Sequence, residues 1–104
     1  MNFSIDKKII EQIIVIILSH KNVEKIVVFG SRVGGDFKET SDIDIAIYSR
    51  NWSSTDINIV KNSLEEDIKI PQKFDLVNFY SLFKKSLREE IMTKGMTIYE
   101  SKKN

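Results

Sequence analysis

The chain has 104 residues, 41% hydrophobic and 10% aromatic, enough for one modest core but not for a second independent unit, so residues 1–104 are expected to form a single domain. Sixteen Lys and Arg against fifteen Asp and Glu leave a formal net charge of +1, which supplies no general attraction to nucleic acid or to an anionic membrane. With no cysteine, a disulfide framework, a thiolate metal site and a Cys nucleophile are all excluded, and the composition fits a reducing cytoplasm.

The most hydrophobic run, Ile9 to Leu18, is interrupted by Glu11 and Gln12 and is far shorter than the roughly 20 residues that span a bilayer. Ile5, Ile9, Ile13, Ile16 and Ile17 recur at helical spacing, so a buried helix is expected, with Ser4 as its cap and Asp6 in its first turn. Lys25 to Phe29 is a β-branched and aromatic run ending at Gly30, which reads as a buried strand. Ser31 to Thr40 is polar, with Gly34 and Gly35 adjacent, and suits a loop with a short helical turn.

Asp42 to Tyr48 alternates strictly. Ile43, Ile45 and Ile47 share one face of a second strand, while Asp42, Asp44, Ala46 and Tyr48 share the other. Ser53 and Ser54 precede a helical pattern of Ile57, Val60 and Leu64 that stops before Pro71. Residues 73–79 form a third strand, with Asp75, Val77 and Phe79 on one face and Phe74 and Leu76 on the other. Leu82, Phe83, Leu87 and Ile91 mark a last helix stopped by Gly95, and Met96 to Tyr99 add a short edge strand. This order predicts an α/β (α+β) fold in which helices flank a small mixed sheet.

The chemistry concentrates in Gly30, Ser31, Arg32, Gly35, Ser41, Asp42, Ile43 and Asp44. Two carboxylates one residue apart on a strand project from the same face, so their oxygens can converge on a cation. Two anions side by side are costly without compensation, and Mg²⁺, which seeks carboxylate and phosphate oxygens, supplies it. The plainer alternative is a solvent-facing strand decorated with two aspartates. Gly30 at a strand end lets the backbone approach a ligand, and Ser31 offers a hydroxyl and an amide to a phosphate oxygen. Arg32 adds a cation, or else serves as a surface partner for Asp36 or Glu39.

The pattern Gly30-Ser31-Arg32-x-x-Gly35-x-x-x-x-x-Ser41-Asp42-Ile43-Asp44-Ile45-Ala46-Ile47 resembles the signature of the DNA polymerase β-like nucleotidyltransferase superfamily. The ending Ile91 to Tyr99, with its Lys94-Gly95 turn, resembles the short MNT-type members, so the likeness covers nearly the whole chain. It implies that Gly30 and Ser31, with Arg32 nearby, bind the triphosphate of ATP or another nucleoside triphosphate. It also implies that Asp42 and Asp44 hold Mg²⁺, two ions being expected, and that Asp75 is a third carboxylate that helps bind the catalytic metal. The activity so implied is transfer of a nucleoside monophosphate to an acceptor hydroxyl by two-metal chemistry.

MNT-type members resemble the antitoxin half of pairs with an all-helical HEPN toxin. The resemblance therefore implies adenylyl transfer to a tyrosine hydroxyl of a HEPN partner, which would serve as both acceptor and complex partner. A non-catalytic antitoxin that neutralises its partner by binding alone is the alternative from a different class. A phosphohydrolase or glycosyltransferase using Asp42-Ile43-Asp44 for metal is weaker, since the first wants a Thr soon after the second Asp and the second a much longer chain. Among the remaining residues, His20 is explained by the dipole at a helix C-terminus. Phe79 reads as core, Trp52 and Tyr80 as core or partner surface, and Lys84, Lys85 and Arg88 as the solvated face of the last helix.

Overall fold

The computed structural model describes residues 5–34 and 42–102, so Ser4, Gly35, Asp36, Glu39 and Ser41 lie outside the described residues. The elements follow the expected order: α1 (Lys7–His20), β1 (Lys25–Phe29), the single turn α2 (Ser31–Gly34), β2 (Ile43–Tyr48), α3 (Ser54–Asp67), β3 (Phe74–Asn78), a 3₁₀ turn (Phe79–Ser81), α4 (Lys85–Lys94) and β4 (Met96–Glu100). The sheet runs β3-β2-β1-β4. β1 is antiparallel to both β2 and β4, and β2 is parallel to β3, so the sheet is mixed.

The alternation of β2 divides the interior. Ile43, Ile45 and Ile47 join Ile26, Val28, Phe74 and Leu76 in the larger core, which α1 closes with Ile13 and Ile17 and α3 with Val60 and Leu64. Ala46 and Tyr48 face the other way, with Val27 and Phe29, beneath Ile91 and the half-buried Leu87 of α4. Burying a Leu, Ile or Val side chain contributes about 1.5–3 kcal/mol, so the many aliphatic side chains of the first core anchor the sheet far more firmly than the few of the second.

Local signals explain the helix starts. At α1 the N-cap is Asp6, whose side chain accepts from the Lys8 amide at 2.8 Å; the expected cap, Ser4, is outside the described residues. An aspartate oxygen meets an orphan amide there as well as a serine would. α3 opens with a full capping box, Ser53 accepting from the Asp56 amide and Asp56 from the Ser53 amide.

The last helix differs from expectation at its start. Leu82 and Phe83 precede α4 in the segment after the 3₁₀ turn, and Phe83 is 97% exposed. The apolar spacing of Leu87 and Ile91 continues backwards to Phe83, but the Leu82 amide is already committed to the Phe79 carbonyl at 3.2 Å. The Arg88 guanidinium also holds the Leu82 carbonyl at 2.6 Å. Gly95 ends the helix against the sheet, where a Cβ would collide with Val27 Cγ1 and the Ile91 carbonyl.

Candidate functional site

The strand registers assemble the site. Asp44 sits opposite Phe29 at the end of β1 and opposite Asp75 in the parallel pairing with β3. Residues paired across neighbouring strands project from the same face, with backbones about 4.8 Å apart. Asp44 and Asp75 therefore stand side by side, and Asp42 precedes them on the same side of β2. The start of β2 is held by the Ile43 amide donating to the Lys73 carbonyl at 2.9 Å. Asp42 and Asp75 are exposed and Asp44 is half-buried, which leaves the carboxylates open to a ligand.

This crowding has an electrostatic consequence. The Asp44 carboxyl is pushed up from 3.8 to about 6, chiefly by burial and then by the charges of Asp75, Asp42 and Glu90. Burial and like charges both disfavour the ionised form. Glu90, on α4, was not singled out in the sequence. Its spacing of three from Leu87 places it beside the apolar face of α4, but solvated helix glutamates show the same spacing, so no local signal marks it.

Gly30 abuts the cluster from β1. Its φ is +82°, in the left-handed region, and a Cβ there would collide with Asp44 Oδ2. The left-handed φ favours glycine, and any Cβ there would also force the Asp44 carboxylate to move. Ser31 follows at the first position of α2 with its side chain exposed. Arg32 is not brought onto the carboxylate face. It is buried and lines a cavity with Ile5, Asp6, Ile43 and Gln72, on the side of the sheet that Ile43 faces. Asp36 and Glu39, the surface partners expected for Arg32, lie outside the described residues. Within a single helical turn, successive residues point about 100° apart, and the exposed Ser31 and buried Arg32 diverge accordingly.

Among the described residues, no group of three or more His, Asp or Glu side chains is drawn together tightly enough to form a ready-made metal cage. The donor chemistry nevertheless fits Mg²⁺, which takes one or two carboxylates and leaves its other positions to water and phosphate. The pairing of Asp44 with Asp75 across neighbouring strands supports this fit, because a cation would relieve the repulsion between them.

His20, Trp52, Phe79 and Tyr80 are held by contacts within the fold. His20 does end α1, but its Nε2 donates to Asp56 Oδ1 at 2.8 Å and its ring meets Trp52 edge-on at 5.2 Å, contacts more specific than a helix dipole. Trp52 belongs to the core, with Nε1 donating to the Asn22 carbonyl at 3.1 Å. Phe79 stacks on Tyr48 at 4.3 Å, while Tyr80 is exposed and donates its hydroxyl to Glu24. Among the described residues no helix is long and apolar enough to cross a membrane.

Comparison with solved structures gives relatives of the same fold. A toxin-antitoxin structure with AMP-PNP is 22% identical, covers 88% of this chain and 73% of its own, and superposes with a TM-score of 0.77. The MntA-HepT toxin-antitoxin is 19% identical over 92% of this chain and 74% of its own, with a TM-score of 0.74. The tri-AMPylated HEPN toxin of Shewanella oneidensis in complex with an MNT antitoxin gives 20% identity, 91% and 72% coverage and a TM-score of 0.73. No curated protein matches the chain. The family model described as polymerase beta, nucleotidyltransferase, matches residues 11–104, and the chain therefore belongs to the polymerase β nucleotidyltransferase family.

Proposed function

We propose that residues 1–104 form one minimal nucleotidyltransferase domain that moves AMP from ATP to a tyrosine hydroxyl of a cognate HEPN toxin in the cytoplasm, and so acts as its antitoxin. The observation that carries this reading is the pairing of Asp44 with Asp75 directly beside Gly30, a glycine that cannot gain a Cβ without striking Asp44. Two relatives of the same fold add support: one structure contains AMP-PNP, and another holds an AMPylated HEPN toxin with an MNT antitoxin.

In this reading Asp42 and Asp44 would hold Mg²⁺ and Asp75 would complete the set from the neighbouring strand. Two bound ions would supply the charge that activates the attacking hydroxyl and steadies the departing pyrophosphate. Gly30 leaves room for the triphosphate at the end of β1, and the exposed Ser31 hydroxyl donates to one of its oxygens. The acceptor oxygen bonds to the α-phosphorus, the bond to the β-phosphate oxygen breaks, and Asp75 takes the acceptor's proton. Arg32 follows Ser31 in the same turn, buried beside Ile43 and Gln72.

The test is pyrophosphate release from MgATP with the HEPN partner present. Release should require both partner and Mg²⁺ and should vanish in Asp42→Asn. A partner that is neutralised without any pyrophosphate release would establish the binding-only antitoxin instead.

A further inference from the structure

Among the described residues the large exposed hydrophobic side chains are Val15, Ile59, Tyr80, Phe83 and Met92. Val15 and Ile59 belong to α1 and α3, on the side of the sheet away from the carboxylates. Tyr80 is already engaged, its hydroxyl on Glu24 and its ring beneath the Arg50 guanidinium at 4.2 Å. Phe83 and Met92 remain, 97% and 64% exposed, and they bracket α4, the helix that covers the carboxylate side of the sheet.

The topology gives that pair a direction. β3 runs away from Asp75 to the 3₁₀ turn, so Phe83 lies at the far end of the sheet. α4 then returns, because β4 starts with Met96 opposite Val28, close to Gly30. Ten helical residues span about 15 Å, and a typical interface of about 800 Å² per partner is about 30 Å across. One docked protein would therefore cover Phe83, the outward face of α4 and the carboxylate cluster together.

That outward face carries Lys85, Glu89 and Met92 at helical spacing, with Lys85 and Glu89 paired at 4.0 Å. Around it Lys84, Lys85, Arg88 and Lys94 outnumber Glu89 and Glu90. Phe, Met and Arg are residue types enriched where proteins meet. Phe83 is also presented on an ordered segment, since Arg88 holds the Leu82 carbonyl and the Leu82 amide holds Phe79. A preset anchor loses little entropy on docking.

We propose that the Phe83–Met92 face of α4 is the docking surface for the protein acceptor, which meets it with an apolar recess flanked by carboxylates. The proposal rests on the transfer reading above for the identity of that partner, but contact along α4 is separable from chemistry at Asp44.

The experiment uses the full chain with a cognate HEPN protein as the partner. Complex affinity and the kinetics of AMP transfer are measured for F83A/M92A and for K84E/K85E, with circular dichroism and MgATP binding as checks on folding. Both variants should raise Kd and the KM for partner tenfold or more, as expected on losing interface anchors, with kcat within twofold of wild type. The K84E/K85E defect should reflect lost attraction to acidic groups, so raised salt should weaken the wild-type complex toward the variant. Kd and KM within twofold of wild type in both variants would overturn the proposal. So would a wild-type dimer that F83A/M92A dissociates while the partner KM stays unchanged, since the face would then join two copies of this chain. A complex weakened by both variants, with no AMP transferred even by wild type, would uphold the docking face and remove the transfer reading.

Discussion

Asp44 and Asp56 are both shielded aspartates, yet their surroundings are opposite. Asp56 is met by donors on every side: the Ser53 amide at 2.7 Å, the Ser53 hydroxyl at 3.1 Å, His20 Nε2 at 2.8 Å and Lys21 Nζ at 3.1 Å. Its carboxyl is held well below the usual carboxylate range, first by the Ser53 backbone and then by His20 and Lys21. Asp44 faces Asp75, Asp42 and Glu90 and is raised to about 6. One carboxylate ties the end of α1 to the start of α3. The other is left short of partners in a way that a cation and a triphosphate complex would remedy. Where a fold leaves a carboxylate among its own kind, either a proton or a cation can offset the repulsion.

The largest expected effect comes from closing the gap beside Asp44. Gly30→Val places a branched side chain where even a Cβ meets Asp44 Oδ2, at a φ that L residues avoid at a cost of about 1–2 kcal/mol. AMP transfer should fall by about a hundredfold or more, as when a group central to the transition state is displaced, with a lower melting temperature. Near-normal MgATP binding by this variant would show that the triphosphate does not pass this strand end.

Asp→Asn at the two positions should move stability in opposite directions. Asp56→Asn removes a carboxylate that four donors address, and the melting temperature should drop. Asp44→Asn removes repulsion, and the metal-free protein should gain on the order of 1 kcal/mol at neutral pH, discounted for the solvent screening of a half-exposed group. Equal destabilisation by both, read from urea unfolding, would erase the distinction between them.

The same contrast predicts a pH profile. The Asp44 carboxyl titrates near 3.8 when unfolded and near about 6 when folded, so the folded state holds the extra proton between those values. Stability of the metal-free protein should therefore fall as pH rises from about 4 through about 6, and Asp44→Asn should flatten that slope. Asp56 acts in the reverse sense, its contribution being present above the ordinary carboxylate range and lost on stronger acidification. Unfolding measured across this range in wild type and both variants separates the two contributions.

The smallest effect is at Ser31. Ser31→Ala should weaken MgATP binding by about 1 kcal/mol, roughly fivefold, the typical value of one neutral hydrogen bond. Isothermal titration would detect it. An unchanged affinity would assign the phosphate contact to backbone alone.

Much of this arrangement was legible in the sequence because it depends on short-range periodicity. Alternation through Asp42, Ile43, Asp44 and Ile45 placed both carboxylates on one face, and the Ile43-Ile45-Ile47 face entered the larger core. The spacing of the isoleucines from Ile5 to Ile17 likewise marked α1. What could not be read was long-range company. Nothing local to His20 announces Asp56, which is 36 residues away. Nothing local to Arg32 announces that its side chain is buried. Phe83 continued the apolar spacing of the last helix, and only the backbone bonds of Leu82 reveal that the helix starts later and leaves Phe83 in solvent. Glu90 joined the carboxylates through tertiary packing of α4, and its role at Asp44 emerges only from the folded chain.

Intact-mass spectrometry of the HEPN partner shows whether the Asp42, Asp44 and Asp75 cluster serves nucleotidyl transfer to a protein. The partner would be co-expressed with the wild-type chain and, separately, with the Asp42→Asn/Asp44→Asn double variant. Wild type should leave one or more AMP additions on the partner, and the double variant none. An unmodified partner in both samples, with cells still protected by the double variant, would contradict that role for the cluster.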